Sequence, residues 1–293
     1  MRGLLSLPEI MNLARSCSMD TLALTDVNGI WGFIRFVQES RGSGIDPIAG
    51  VNLITHRQEL LILVENQNGY ENLCRIISDV HDDPRSDLSD ILKKYYSGLF
   101  ILGHDVSTLK ALRHFIPDTH LFIELRPSFQ ESTIKQLSKE LRLEIVATGD
   151  VYFKNSIDHG SHMILRAIDR NSTLRQLDPM DHKSDQHWFR NEAEMVQIFP
   201  NSLESLNNSR YLADRCKKDW SFINTIFPGL SLKDTHRSNM KLKHEVFLGA
   251  KKRYGDISDQ VSHRIQHELD IIGQKGFAPY FLIVKDIVTQ TRA

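Results

Sequence analysis

Six side chains in the first half of the chain could hold a divalent ion or move a proton: Asp26, Asn52, His104, Asp105, Glu124 and Asp150. Each follows a short apolar run. Asp26 comes after Leu22-Ala23-Leu24-Thr25, Asn52 after Ile48-Ala49-Gly50-Val51, and His104 with Asp105 after Leu99-Phe100-Ile101-Leu102. Glu124 comes after Leu121-Phe122-Ile123, and Asp150 after Ile145-Val146-Ala147. Hard oxygen donors with one imidazole suit Mg, Mn or Zn. A second chemistry competes, because a polar residue at a strand end also accepts hydrogen bonds from the first amides of a following helix. Asp26 precedes the helical pattern near Gly29, and Asp150 the one near Ser156. Spacing alone favours capping over metal binding.

Other clusters carry weaker signals. The stretches Asp158-His159-Gly160-Ser161-His162 and Asp181-His182, followed by Asp185 and His187, match no zinc-ligand spacing, and their polar context reads as solvated loop. His162 alone precedes an apolar run and is expected to help pack a helix. The basic residues Lys241, Lys243, Lys251, Lys252 and Arg253 form the best local candidate for phosphate contact. The last three also end a predicted helix before Gly255, where cations complement the helix dipole. No P-loop, nucleophile elbow or dinucleotide glycine fingerprint is present.

The elements that must position these groups alternate. From Thr21 to about Phe153 apolar runs, including Leu60-Leu61-Ile62-Leu63-Val64, are separated by segments of helical period. That rhythm predicts an α/β architecture, with βα units around a mostly parallel sheet or distorted barrel, over about Met1 to Ile226. The runs are continuous rather than alternating, which implies burial on both faces. The first helix opens at Ser6 with Glu9 three residues on, and Pro8 stands in its first turn.

After Phe153 the pattern turns helical, with predicted helices over Ser156–Ile168, Glu192–Ile198 and Leu203–Cys216 closing the domain. Phe227-Pro228-Gly229-Leu230-Ser231 reads as a linker, so the domains are predicted as 1–226 and 227–293. Beyond the linker, Leu242, Val246, Phe247, Ala250 and Tyr254 share one helical face, and Val261, Ile265, Leu269 and Ile272 another. The stretch from Tyr280 to Val288 is apolar nearly all round and should need burial on most sides.

A formal net charge of -1 across 293 residues gives no global signature for nucleic acid, membrane or an acidic partner. The three cysteines, Cys17, Cys74 and Cys216, lie far apart, which fits a reduced, cytoplasmic setting. No apolar run approaches the roughly 20 residues of a membrane span.

The words around Leu24-Thr25-Asp26-Val27-Asn28-Gly29 resemble the PHP domain that opens bacterial DNA polymerase III alpha subunits, where the segment usually runs Ala-Leu-Thr-Asp-His-Asp-Gly. Pro47-Ile48-Ala49-Gly50-Val51, Gly69-Tyr70-Glu71-Asn72-Leu73, Phe122-Ile123-Glu124-Leu125 and Val146-Ala147-Thr148-Gly149-Asp150-Val151 continue the resemblance in order. Arg253-Tyr254-Gly255, Gly276-Phe277-Ala278 and Tyr280-Phe281-Leu282-Ile283-Val284 with Asp286-Ile287-Val288 resemble the start of the palm region of the same enzymes. The resemblance implies a distorted (β/α)-barrel of PHP type, lacking its first strand, then a small, mostly helical segment that begins the palm.

Departures from the family pattern fall on its metal ligands. Val27 stands where a histidine is usual, Asn52 where a glutamate is, Glu59 where a histidine is, and Tyr152 where the last histidine is; the family's cysteine aligns near Asp105. Asp150 remains, with Asp26 as a weaker relic. The palm aspartates lie beyond Ala293 in the resemblance, which therefore implies a gene fragment or one part of a split polypeptide, with unfavourable solubility in isolation. It implies a non-catalytic PHP scaffold with no cofactor of its own, Mg being the cofactor of the intact polymerase family. The rival expectation is a metal-dependent phosphoesterase or 3′-5′ exonuclease using Zn or Mn, with a rearranged ligand set from Asp26, His104, Asp105 and Asp150. Implied partners are the remainder of the alpha subunit and, through it, DNA and other replisome subunits. Lys251, Lys252 and Arg253 are the candidates for DNA contact.

Overall fold

A computed structural model of the chain describes residues 3–222 and 235–292. The chain divides into two compact units, Met1–Trp220 and Ser221–Ala293. The predicted linker at Phe227–Ser231 and the expected boundary after Ile226 lie outside the described residues.

In the first unit, Ser6 opens α1 (Leu7–Ser16) as its sequence suggests: the Ser6 backbone N–H donates to the Glu9 carboxylate at 2.8 Å, and its hydroxyl does so at 2.6 Å. Next come β1 (Thr21–Val27), α2 (Phe33–Ser40), β2 (Asp46–Ile54), β3 (Glu59–Val64), α3 (Gln67–Asp82), α4 (Leu88–Tyr95) and β4 (Leu99–Gly103). They are followed by α5 (Val106–Arg113), β5 (Leu121–Leu125), α6 (Glu131–Leu141) and β6 (Ile145–Ala147). The closing helices are α7 (His159–Asp169), α8 (Glu192–Ile198) and α9 (Leu203–Arg215).

All six strands form one curled sheet in the order β1-β2-β3-β4-β5-β6, a half-barrel. Every residue of β4 and β5 is buried, as the apolar runs Leu99–Leu102 and Leu121–Ile123 require, and Glu124 is buried with them. Pairs β1–β2, β4–β5 and β5–β6 are parallel, but β3 runs antiparallel to both its neighbours. The sheet is thus mostly parallel, as expected, with one reversed strand that the sequence did not reveal. The cause is the link Thr55–Gln58, closed by a Thr55 N–H to Gln58 C=O bond of 2.9 Å. Reversal by a tight turn needs only a few residues, whereas a parallel crossover needs a dozen or more. The reversal puts the start of β3 at the end of the sheet where the parallel strands finish, with Glu59 opposite Ile54 and Leu60 opposite Gly103.

The two faces of the sheet are covered differently. Helices α2 to α6 pack on one face around Phe33, Phe36, Ile62, Leu73, Ile76 and Ile101. On the other, Ile48, Phe100, Leu102, Phe122 and Val146 meet Leu212 and Cys216 at the end of α9. Burial pushes the Cys216 thiol up to about 12, so it is an inert apolar group there. Two side chains of α9 also bond the outward carbonyls of β6, Asn208 to Ile145 at 2.9 Å and Ser209 to Ala147 at 2.5 Å. That covers one sheet edge. Among the described residues no strand pairs with the free side of β1, consistent with a barrel incomplete at its first strand.

The second unit comprises α10 (Thr235–Tyr254), α11 (Asp259–Gln274) and α12 (Ala278–Thr291). Leu242, Ala278 and Leu282 form its small core, with Val246, Leu269 and Ile272 against it. In α12, whose apolar sequence calls for burial on most sides, Leu282 is buried while Tyr280, Phe281, Val284, Ile287 and Val288 are exposed. Tyr254, assigned by its spacing to a packed face of α10, is exposed as well.

One close approach fixes how α3 meets the sheet. A Cβ built on Gly69 would stand 1.8 Å from the carbonyl oxygen of Gly98, itself in the left-handed region at φ +76°. No side chain fits between two backbones that near. Gly69→Ala should therefore cost about 2–3 kcal/mol in urea unfolding. Gly42→Ala, at a positive φ with open space around it, should cost about 1 kcal/mol.

Candidate functional site

Two of the candidate ligands are already committed to helices. Asp26 accepts from the Gly32 N–H at 2.8 Å, where α2 begins. Asp105 is the N-cap of α5, accepting from the Thr108 N–H at 2.7 Å and the Ser107 hydroxyl at 2.5 Å. Both do the capping that their positions before helices allowed. His104 packs 4.9 Å from the Phe129 ring with its Nδ1 buried and unbonded among the described residues. Burial, and then the charge of Arg126, pull its pKa down, so the imidazole is neutral.

The remaining candidates gather around a cation at the mouth of the half-barrel. Arg126, just past β5, sends Nη1 to Glu59 at 2.8 Å and lies 3.6 Å from Asp150 by the same nitrogen. Its Nη2 is 2.7 Å from Glu124, close enough for strong attraction though outside hydrogen-bond geometry. Asn52 donates to Glu59 at 2.9 Å, and Thr148 to Glu124 at 2.7 Å. The Lys183 ammonium reaches Asp150 at 2.9 Å and Glu59 at 3.9 Å, lying over the Tyr152 ring at 5.1 Å from its centre. His187 Nδ1 donates to the Asp150 carbonyl at 2.9 Å and sits 3.1 Å from its carboxylate. Three carboxylates thus face two side-chain cations in a nearly closed space.

The electrostatics follow from those distances. Burial alone would raise the Asp150 pKa, but the His187 hydrogen bond and the charges of Arg126 and Lys183 outweigh it and hold the carboxyl far below its usual range. Glu59 is likewise held down, burial being overcome by Arg126, Lys183 and the Asn52 bond. Burial works against the Arg126 charge, yet Glu124, Asp150 and Glu59 more than restore it. For Lys183 burial is overcome chiefly by Tyr152 and Asp150, and the ammonium stays charged.

The donor set does not fit a divalent ion. Glu59 and Asp150 each already bind Arg126 and Lys183, Glu124 binds Arg126, and a metal would have to approach against two positive charges. Among the described residues, no group of three or more His, Cys, Asp or Glu side chains is placed to hold a metal.

The histidine-rich stretches are not the solvated loops their composition suggested. His162 and His187 are buried, at 1% and 3% exposure. His159 donates from Nε2 to the Lys183 carbonyl at 2.9 Å, and His162 Nε2 accepts from the Lys183 N–H at 3.1 Å. These rings brace the backbone that carries Lys183. Sequence reading missed Arg126 and Lys183. Arg126 had a signal, a charged residue two positions past Glu124 directly after a buried run; Lys183, in a polar loop, had none. In the second unit, Lys251, Lys252 and Arg253 occupy the exposed last turn of α10, which ends at Gly255 with φ +71°.

An α/β half-barrel whose mouth carries a cluster of ion pairs defines a protein of the PHP class. The chain belongs to the PHP domain family, whose profile matches residues 1–153. A second profile, the bacterial DNA polymerase III alpha NTPase domain, matches residues 240–293. The chain is 27% identical to the error-prone DNA polymerase of Symbiobacterium thermophilum, an alignment covering 99% of this chain and 31% of that protein. It is 27% identical to DNA polymerase III subunit alpha of Pasteurella multocida, over 96% of this chain and 28% of that one. The same subunit of Buchnera aphidicola subsp. Acyrthosiphon pisum is 29% identical, over 97% and 28%. The chain therefore spans less than a third of the length of these relatives.

Replacing Arg126 with Met should destabilise the first unit by about 3–5 kcal/mol in urea unfolding at pH 7, because it strands Glu59 and Glu124 without their counter-charge. The depressed carboxyls set the pH response. Their contribution is present above the unfolded carboxyl values and is lost as pH falls toward the lower folded ones. Stability should thus drop as pH falls below about 5. Asp150→Asn, less stable at pH 7, should show a shallower drop in urea midpoint on acidification.

Proposed function

We infer that this chain is the amino-terminal part of a DNA polymerase of the bacterial polymerase III alpha type, with its PHP unit serving as a non-catalytic scaffold. The observation that carries the reading is the way the mouth carboxylates are used. Asp26 and Asp105 cap helices, while Glu59, Glu124 and Asp150 neutralise Arg126 and Lys183. Hydrolysis of a phosphodiester by a PHP-type site needs a metal-bound water, and a catalytic metal needs about three protein ligands and an open position. Here the carboxylates stabilise the half-barrel instead.

The order of the two family matches, PHP then the alpha-subunit domain, supports placing the second unit at the start of the polymerase region. In that setting the remainder of the alpha subunit is the partner, Mg serves the intact polymerase, and Lys251, Lys252 and Arg253 are the candidates for DNA backbone contact. The same setting implies a cytoplasmic location. Among the described residues no helix is long and apolar enough to cross a membrane.

Purified chain incubated with Mn or Zn and then desalted should retain no stoichiometric metal by elemental analysis. It should also release no nucleotides from single-stranded DNA in a manganese-supplemented 3′-5′ exonuclease assay. Retained metal together with nuclease activity that Asp150→Asn abolishes would replace the scaffold with a phosphoesterase or exonuclease.

A further inference from the structure

The segment 177–187 crosses the mouth as a strap fixed at several points. Leu177 is buried at its start, the Asp181 carbonyl accepts from Arg166 Nε at 2.6 Å, and the His187 carbonyl accepts from the Tyr152 N–H at 2.8 Å. Between these anchors His159 and His162 hold both peptide groups of Lys183, donating to its carbonyl and accepting from its N–H. Backbone fixed so closely delivers the Lys183 side chain, 20% exposed, to one place, beside Asp150 and Glu59. Leaving the histidines aside, Glu59, Glu124 and Asp150 contribute three negative charges, and Arg126 and Lys183 two positive ones, for a sum of -1. Without Lys183 the sum is -2, in a space where Asn52, His104 and Glu124 each keep a buried polar atom without a hydrogen bond.

We propose that Lys183 is a built-in counter-cation: the strap inserts its ammonium where the carboxylate cluster would otherwise draw a divalent ion, locking the strap down and keeping metal out. This rests on the scaffold reading and extends it, since it assigns to Lys183 a part of the metal exclusion beyond that of Arg126. Ammonium is a compact point charge that three donors can share among oxygens, a role a planar guanidinium fills less well in the same space. Attraction between Lys183 and the cluster is strong because both are largely removed from water.

The test is Lys183→Met in the full chain, read by thermal unfolding with and without millimolar Mn and by limited proteolysis. Expected are faster cleavage within 177–187 and a rise in melting temperature with Mn of ~3 °C or more for the variant. The parent chain should not respond to Mn. Equal Mn response in both, or a variant whose strap resists protease like the parent's and ignores Mn, overturns the proposal. Stoichiometric metal in the parent chain would instead overturn the scaffold reading, so the two failures are distinct. Should Lys183→Met not fold, the double variant Glu59→Gln/Lys183→Met restores the sum of -1. It should fold and ignore Mn. Failure to fold there as well would show that Lys183 acts through packing, and overturn the charge role.

Discussion

The ion cluster centred on Arg126 is the constraint on which the first unit depends. A guanidinium 3% exposed would be very costly alone, and its presence is tolerable only because Glu59, Glu124 and Asp150 surround it. Those carboxylates come from three places in the sequence: the start of β3, the body of β5 and the loop after β6. Arg126 thereby ties the reversed strand to the parallel ones across the mouth. Because the desolvation cost is met only when all partners are present, removing any one of them leaves an uncompensated buried charge.

The reversal of β3 makes this possible. In a uniformly parallel barrel the residue opening a strand lies at the opposite end from the functional loops. With β3 antiparallel, Glu59 opens its strand at the mouth, beside the ends of β2 and β4. The same hairpin lets Asn52, near the end of β2, donate to Glu59. Where the family pattern has ligands for metal, this chain uses an amide and a carboxylate to position a guanidinium.

The helical closing segment serves the same end of the sheet from outside the strands. α7 provides His159, His162 and Arg166 to hold the strap, and α9 fills the second face of the sheet and covers the β6 edge. The histidines act here as rigid hydrogen-bonding spacers between backbone groups. Their clustering in sequence reflects two chain segments that must brace one another, and buried imidazoles paired with peptide groups satisfy polar atoms that would otherwise lack partners.

By itself the sequence determined the elements and much of their class. Apolar runs at Leu99–Leu102 and Leu121–Ile123 could only be buried strands, Ser6 with Glu9 could open a helix, and the order of family-like words placed a PHP region before the alpha-subunit segment. It also placed polar groups at the strand ends, since a strand's exit from a buried sheet is where water and helix amides become available. What only the tertiary structure decided was which of those groups meet. Strand direction at β3 depends on a four-residue link whose turn geometry has no period to read. Burial of His162 and His187 depends on α7 and the 177–187 segment packing together. The pairing of Arg126 and Lys183 with the mouth carboxylates could not be read along the chain, because a charge's partners are set by distances across the fold and not by its sequence neighbours.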